Sequence, residues 1–305
     1  MDLTPNYVSE SDPTFQEALK SEQADGDQFL SAFVTTNLDG LNNWKKIGTN
    51  ESAWKKHGTR YFLSQFDNRY DLQMSSEVAQ QKLKNTISIL IDLGVKGFRL
   101  NNAKHFLISS NRSNDLHDSE KIGANAEDYN YFLHTYTTNQ PGLGDIIRIF
   151  AQFVHNKTDG EGFLTIRDDA AERVENYVLK GSKVLGFDLP RAAFLNKLLS
   201  STDKNKVPKL MQSGFDRLNS TINIETLWMQ VPYNNSNSNL DSVAYNMFMS
   251  LLPGVKVGSL EELKAAEVDI ENFKKLEKIR ESPVFQFGTF DFLLSQENST
   301  FAYIR

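Results

Sequence analysis

A helical stripe running straight into a short strand is the feature that most limits what this chain can become. Between residues 78 and 93, Leu83, Ile87, Leu90 and Ile91 recur at three- and four-residue spacing, and Gly94 follows where a helix commonly ends. Residues 95–100 then read as a strand. The order returns downstream: Ile146, Ile147, Phe150, Phe153 and Val154 form a stripe ahead of a glycine-bounded strand at 162–166. A helix at about 171–179 precedes a short strand around 184–189, and a helical segment near 192–199 precedes a strand at 225–231. An apolar helix at 242–252 is stopped by Pro253 and Gly254. Strands alternating with helices build parallel βα units, so the expected class is α/β.

The flanks read differently. Residues 1–7 look like the end of a buried strand running into a loop. Residues 8–75 are polar and irregular, with Trp44, Trp54, Tyr61, Phe62 and Phe66 as scattered apolar anchors. A structureless loop of that length is improbable, so an inserted subdomain or long excursion is expected, with these aromatics as its core. A vestigial sugar cleft is the other reading of Trp44, Trp54 and Tyr61. A charged amphipathic helix at 260–280 gives way after Pro283 to short aromatic strands at 285–287, 290–294 and 301–304. That switch sets an expected domain boundary near residue 282.

Composition removes several functions. A net charge of −6 and a pI near 5.5 lack the basic footprint of a nucleic-acid binder. Zero cysteines exclude disulfides, thiolate zinc sites and thiol nucleophiles. His57, His105, His117, His134 and His155 show no paired metal spacing, and Asp168-Asp169 and Asp115/Asp118 read as solvated loop carboxylates, so neither metal nor cofactor is expected. No apolar run reaches the roughly 18 residues of a membrane span, and residues 1–5 are no signal peptide. Any attachment to a membrane is therefore expected through a segment absent from this chain.

Short motifs carry a more specific message. Gly97-Phe98-Arg99-Leu100-Asn101 resembles the fourth-strand motif Gly-Phe-Arg-x-Asp of the α-amylase superfamily (glycoside hydrolase family 13), and Asp2-Leu3-Thr4-Pro5-Asn6-Tyr7 its third-strand motif. Asn42-Asn43-Trp44, Ser52-Ala53-Trp54, Tyr61-Phe62-Leu63, Gln65-Phe66, Arg69-Tyr70-Asp71-Leu72-Gln73 and Asn139-Gln140-Pro141 follow the order of the maltase branch. The resemblance implies a partial TIM (β/α)8 barrel over residues 1–282, with 8–75 inserted, and the start of a C-terminal β-sandwich domain at 283–305.

It also implies lost chemistry. Retaining glycosidases need two carboxyl groups flanking the scissile bond. Asn101 stands at the nucleophile position, Arg167 at the general-acid position, and Asn234, after Tyr233, at the position of the transition-state aspartate. Tyr7 replaces the third-strand histidine, while Arg99 is retained. A register slip would bring Asp168 or Asp169 to the acid position, yet still leave no nucleophile.

The non-catalytic members of the superfamily are the heavy chains of heteromeric amino-acid transporters, and the third-strand motif with its tyrosine resembles the 4F2 type. That resemblance implies a catalytically inactive ectodomain on the extracellular face of the plasma membrane. Its partner is a multi-pass transporter light chain, which it helps to reach the surface. An α-glucosidase-like enzyme and a sugar-binding pseudoenzyme are the alternatives. Of six Asn-x-Ser/Thr sequons, about four arise by chance at this composition; Asn50, Asn111, Asn156, Asn219 and Asn298 are candidate glycosylation sites.

Overall fold

The computed structural model describes residues 1–191 except 21–27, 38–40, 121, 122, 124, 126 and 168–173, and beyond them chiefly 207–221, 228–230, 247–258, 270–287, 291–294 and 301–304, with gaps at 249 and 253. Contacts divide the chain into two units. The first is Met1–Asp168 with Asn176–Asp188, and the second Asp169–Glu175 with Leu189–Arg305. The boundary expected near residue 282 lies inside the second unit.

In chain order the first unit holds β1 (Asp2–Leu3), β2 (Tyr7–Val8), α1 (Pro13–Lys20), β3 (Thr35–Thr36), β4 (Trp54–His57), β5 (Arg60–Leu63), β6 (Tyr70–Asp71), α2 (Glu77–Asp92), β7 (Gly97–Leu100), α3 (Leu143–Lys157) and β8 (Phe163–Ile166). Its centre is a parallel sheet in the order β1-β7-β8, with Leu3 opposite Leu100 and Leu100 opposite Ile166. Side chains alternate across a strand, so one face carries Leu3, Phe98, Leu100, Leu164 and Ile166 and the other Asp2, Arg99 and Thr165. The apolar face is buried with the inner stripe of α3 (Ile147, Phe150, Ala151, Val154), and α2 packs beside α3 through its own buried side of Ala79, Leu83 and Ile87.

Residues 8–75 fold around an antiparallel sheet, β3-β5-β4, and a short ladder joins β2 to β6. Val34, Trp44, Ala53, Trp54, Leu63 and Ile108 make one apolar cluster there. Phe15 stacks on Tyr70 at 3.7 Å and meets the edges of Phe33 and Phe62 in a second. Of the aromatics whose alternative reading was a sugar cleft, Trp44 and Trp54 are buried in the first cluster and Tyr61 packs partly buried against it. They are core.

The helix expected at about 171–179 and the strand expected around 184–189 both depart from expectation, the latter holding only isolated bridge residues. Residues 174–179 hold only a 3-10 turn, Val174–Asn176, and then a tight reversal in which Val178 bridges Leu185. Gly181, at φ +75°, makes that reversal possible, and the Leu179 N–H donates to Val184 O. The reversal lies hard against the first turn of α3: a Cβ on Gly144 would come within 2.5 Å of the carbonyl oxygens of Tyr177 and Val178. Backbone cannot yield as a side-chain end can. Gly144→Ala is therefore expected to destabilise the first unit by about 1–3 kcal/mol, read as a melting point several degrees lower, and an unchanged melting point would contradict this close approach.

The second unit contains α4 (Val207–Thr221), β9 (Trp228–Gln230), β10 (Val255–Val257), α5 (Ile270–Arg280), α6 (Pro283–Phe287), β11 (Asp291–Leu294) and β12 (Phe301–Ile304). The expected strand at 285–287 is instead helix α6. Ser282 accepts the Phe285 N–H, and Pro283 takes the first helical position, where its missing N–H costs nothing. β9 pairs in parallel with β10, a strand too short to have been read in the sequence, and β11 pairs antiparallel with β12. The helix expected at 192–199 and most of that at 242–252 lie outside the described residues.

Candidate functional site

The ladder bonds continue one residue past the ends of β7 and β8. Asn101 N–H donates to Leu3 O and Arg167 N–H to Leu100 O, each at 2.8 Å. Thr4, Asn101 and Arg167 therefore form one row across the C-terminal edge of the parallel sheet, directly above the row Asp2, Arg99 and Thr165. Barrel active sites are assembled at this edge. Two of the positions picked from sequence, Asn101 and Arg167, are thus brought side by side. Asn234 and Tyr233 lie outside the described residues, as do Asp168 and Asp169.

Within the row, Asn101 Nδ2 donates to Thr4 Oγ1 at 2.9 Å, while Asn101 Oδ1 is buried without a partner. Below it Arg99 grips Asp2 in a two-pronged fork, Nε to Oδ1 and Nη2 to Oδ2, both 2.6 Å. That fork holds the Asp2 carboxyl below the usual carboxylate range against the opposing effect of partial burial, and the charge of Arg167 pulls the same way. The sequence reading retained Arg99 without assigning it a partner. The structure supplies Asp2, and the signal was available: both residues sit in the quoted strand motifs, and only the register was unknown.

The turns above the row are tied down. Asn6 is buried and its Nδ2 donates to Asn102 O at 2.8 Å, with Asn102 in the left-handed region at φ 53°. Tyr7 does not join the row. It sits in β2 opposite Asp71, its ring 5.1 Å from Phe66 and under the Arg69 guanidinium at 4.6 Å, beside a cavity of about 210 Å3 that Leu3, Pro5 and Met74 also line. Asp71, opposite it, carries a fully buried carboxyl. Gln65 donates to it through N at 3.0 Å and Nε2 at 2.9 Å, and burial pushes it up to about 7 despite those bonds. His105 is buried too, with Nδ1 3.0 Å from Thr137 O; burial, with the charge of Lys104, pushes it down to about 3, so the ring is neutral.

What this arrangement can do chemically is narrow. The described part of the row offers a hydroxyl, an amide and a guanidinium, which donate hydrogen bonds but neither attack a sugar carbon nor release a proton at neutral pH. Of the described carboxyls nearby, Asp2 is forked to Arg99 and Asp71 accepts from Gln65. Among the described residues no group of three or more His, Cys, Asp or Glu could hold a metal ion, and no helix is long and apolar enough to cross a membrane. Asn50, Asn111 and Asn156 are exposed, Asn219 falls on α4, and Asn298 lies outside the described residues.

The α-amylase family, described as "Alpha amylase, catalytic domain", matches residues 1–230. The chain belongs to that family. Solved structures agree on the fold: an alpha-glucosyl transfer enzyme, XgtA, superposes with a TM-score of 0.68 at 14% identity, covering 97% of this chain and 70% of that one. The alpha-amylase from H. orenii gives 0.62 at 14% identity, covering 96% and 64%. The architecture is thus a partial TIM barrel of the amylase type. Among curated proteins, the amino acid transporter heavy chain SLC3A1 of Mus musculus is 24% identical over 59% of this chain and 27% of its own length. Maltase A2 of Drosophila melanogaster is 24% identical over 51% and 29%. The chain spans under a third of the length of these two relatives.

Proposed function

We propose that this chain is part of a non-catalytic, glycosidase-like ectodomain that serves as the heavy-chain subunit of an amino-acid transporter. The observation that carries the reading is Asn101, at the nucleophile position of the family, with the guanidinium residue Arg167 beside it in the acid position. Similarity to SLC3A1 heavy chains supports the same reading. In this role the protein stands on the extracellular face of the plasma membrane and binds a multi-pass light chain, which carries the amino acids. The exposed sequons Asn50, Asn111 and Asn156 fit a glycosylated surface. Similarity to Maltase A2 keeps an α-glucosidase or a sugar-binding pseudoenzyme as the second reading.

Two measurements test it. Hydrolysis of maltose and of p-nitrophenyl α-glucoside is expected at background at every pH, and Asn101→Asp alone is expected to leave it there. Groups that act as a unit recover little when one is repaired, and Arg167 still supplies a fixed cation where a proton donor is needed. Surface labelling of cells expressing the natural full-length protein with a light chain is expected to show more light chain at the membrane than without it. Turnover by the unmodified protein, abolished at Asp168 or Asp169, would sink the accessory reading in favour of an enzyme with a displaced acid.

A further inference from the structure

The exposed sequons differ in where they direct the hydroxyl that stands two residues after the asparagine. Asn156 lies in the last turn of α3, and residues two apart on a helix do not face each other. Its Thr158 hydroxyl is engaged elsewhere, donating to Val154 O and accepting from Gly162 N–H, both at 2.8 Å. After Asn50, the Ser52 hydroxyl accepts from Trp54 N–H at 3.2 Å. Asn111 is different. Ser113 Oγ donates to Asn111 Oδ1 at 2.6 Å, and Ser113 N–H donates to the same oxygen at 3.0 Å.

Those two bonds close an Asx turn within three residues, so the turn forms without distant contacts and is open to the chain while it is being made. The folded protein then keeps it. Trp44 Nε1 donates to Ser113 O and Asn42 Nδ2 to Arg112 O, each at 3.0 Å, which fixes the backbone of the turn to the inserted subdomain. The Asn111 side chain stays exposed, and its Nδ2 donates to no described residue. An amide nitrogen is a poor nucleophile because its lone pair is shared with the carbonyl. Two donors on Oδ1 draw charge onto the oxygen and loosen the Nδ2 proton.

We propose that Asn111 carries an N-linked glycan and that Ser113 prepares its amide for the transfer. The donor is an oligosaccharide on a lipid pyrophosphate. The bond from Nδ2 to the sugar C1 forms as the C1–O bond to phosphate breaks; the pyrophosphate leaves with the electron pair, and the amide proton passes to a base of the transferase. Nothing in the fold has to give way, since the sugar replaces a hydrogen on an exposed side chain and Oδ1 keeps both donors. The inference rests on the extracellular reading above and adds which sequon is used and why.

The test expresses the natural full-length protein in glycosylating cells, removes glycans with an amidase in heavy-oxygen water, and maps peptides by mass spectrometry. Each glycosylated asparagine is then read as a labelled aspartate. Label is expected at Asn111 above that at Asn50 and Asn156, with complete loss at Asn111 in Ser113→Ala and retention in Ser113→Thr, which restores a hydroxyl. The tie from Trp44 ends on the main chain of Ser113, so alanine keeps it. An unlabelled Asn111 in a protein that surface biotinylation reaches overturns this inference alone. Label at Asn156 equal to that at Asn111, or a label at Asn111 that survives Ser113→Ala, does the same. No label at any sequon in a protein that biotinylation does not reach overturns the extracellular reading and this inference with it.

Discussion

His105→Gln is expected to make the protein more stable as the pH falls from about 7 to 4, and Asp71→Asn to make it less stable over the same range. The two buried groups pull in opposite directions. Asp71 titrates near 7 in the folded chain against an ordinary 3.8, so the folded state holds its proton longer. Its contribution is fully present below the unfolded value and is lost as pH rises through 7. His105 titrates near 3 against an ordinary 6.5, so the unfolded chain takes up the proton first. Its contribution is present above the unfolded value and is lost as pH falls toward 3. Each swing is worth up to about 4–5 kcal/mol by the conversion of pKa into free energy. In the parent they largely cancel between about pH 4 and 6.5, and each substitution exposes the other group's slope. Glutamine at 105 keeps a donor for Thr137 O, and asparagine at 71 keeps an acceptor for the Gln65 N–H. Urea midpoints at several pH values read the result. Variant profiles that run parallel to the parent's would show that neither group is perturbed as described.

Trp44→Ala is the second large effect, expected to cost about 3–5 kcal/mol in the first unit, with Trp44→Phe well below that. Trp44 is 2% exposed and stacks on Trp54 at 5.6 Å and on Tyr136 at 6.4 Å, under the Arg112 guanidinium at 5.7 Å. Its indole N–H donates to Ser113 O at 3.0 Å. It thereby joins the inserted subdomain to the long segment after β7, a join that Asn43 reinforces through both backbone groups of Asp115. Alanine removes the ring and leaves Ser113 O without its donor. Early cleavage by a protease within 109–118 is the accompanying sign, and a variant that melts with the parent would show that the stack contributes little.

The central strands were legible because each carries its own signal. Phe98 and Leu100 alternate with Gly97 and Arg99, and the helices before β7 and β8 end at Gly94 and near Gly160, so both strands were read within two residues of where they lie. Asn101 was legible as a substitution because the motif around it is intact. What could not be read was pairing. Nothing in the order of residues says that Asp2 meets Arg99, that Gln65 closes over Asp71, or that Tyr7 turns away into β2. Each depends on register or on a contact many residues distant. Local chemistry misled at Phe285 and Phe287, where an aromatic run looked like a strand although Ser282-Pro283 is a good helix start. At β10, Val255-Lys256-Val257 is simply too short to stand out after Pro253-Gly254.

The Asp2–Arg99 fork lies one row beneath the chemistry, and that displacement separates two histories. The charge pair that staples β1 to β7 makes no use of the side chain at 101, so the upper row can change while this tie beneath it stays in place. A scaffold wired in this way tolerates exchange at the positions where the family carries its reaction. Folding and turnover are thereby placed on separate rows of the same sheet face, and a change in one need not disturb the other.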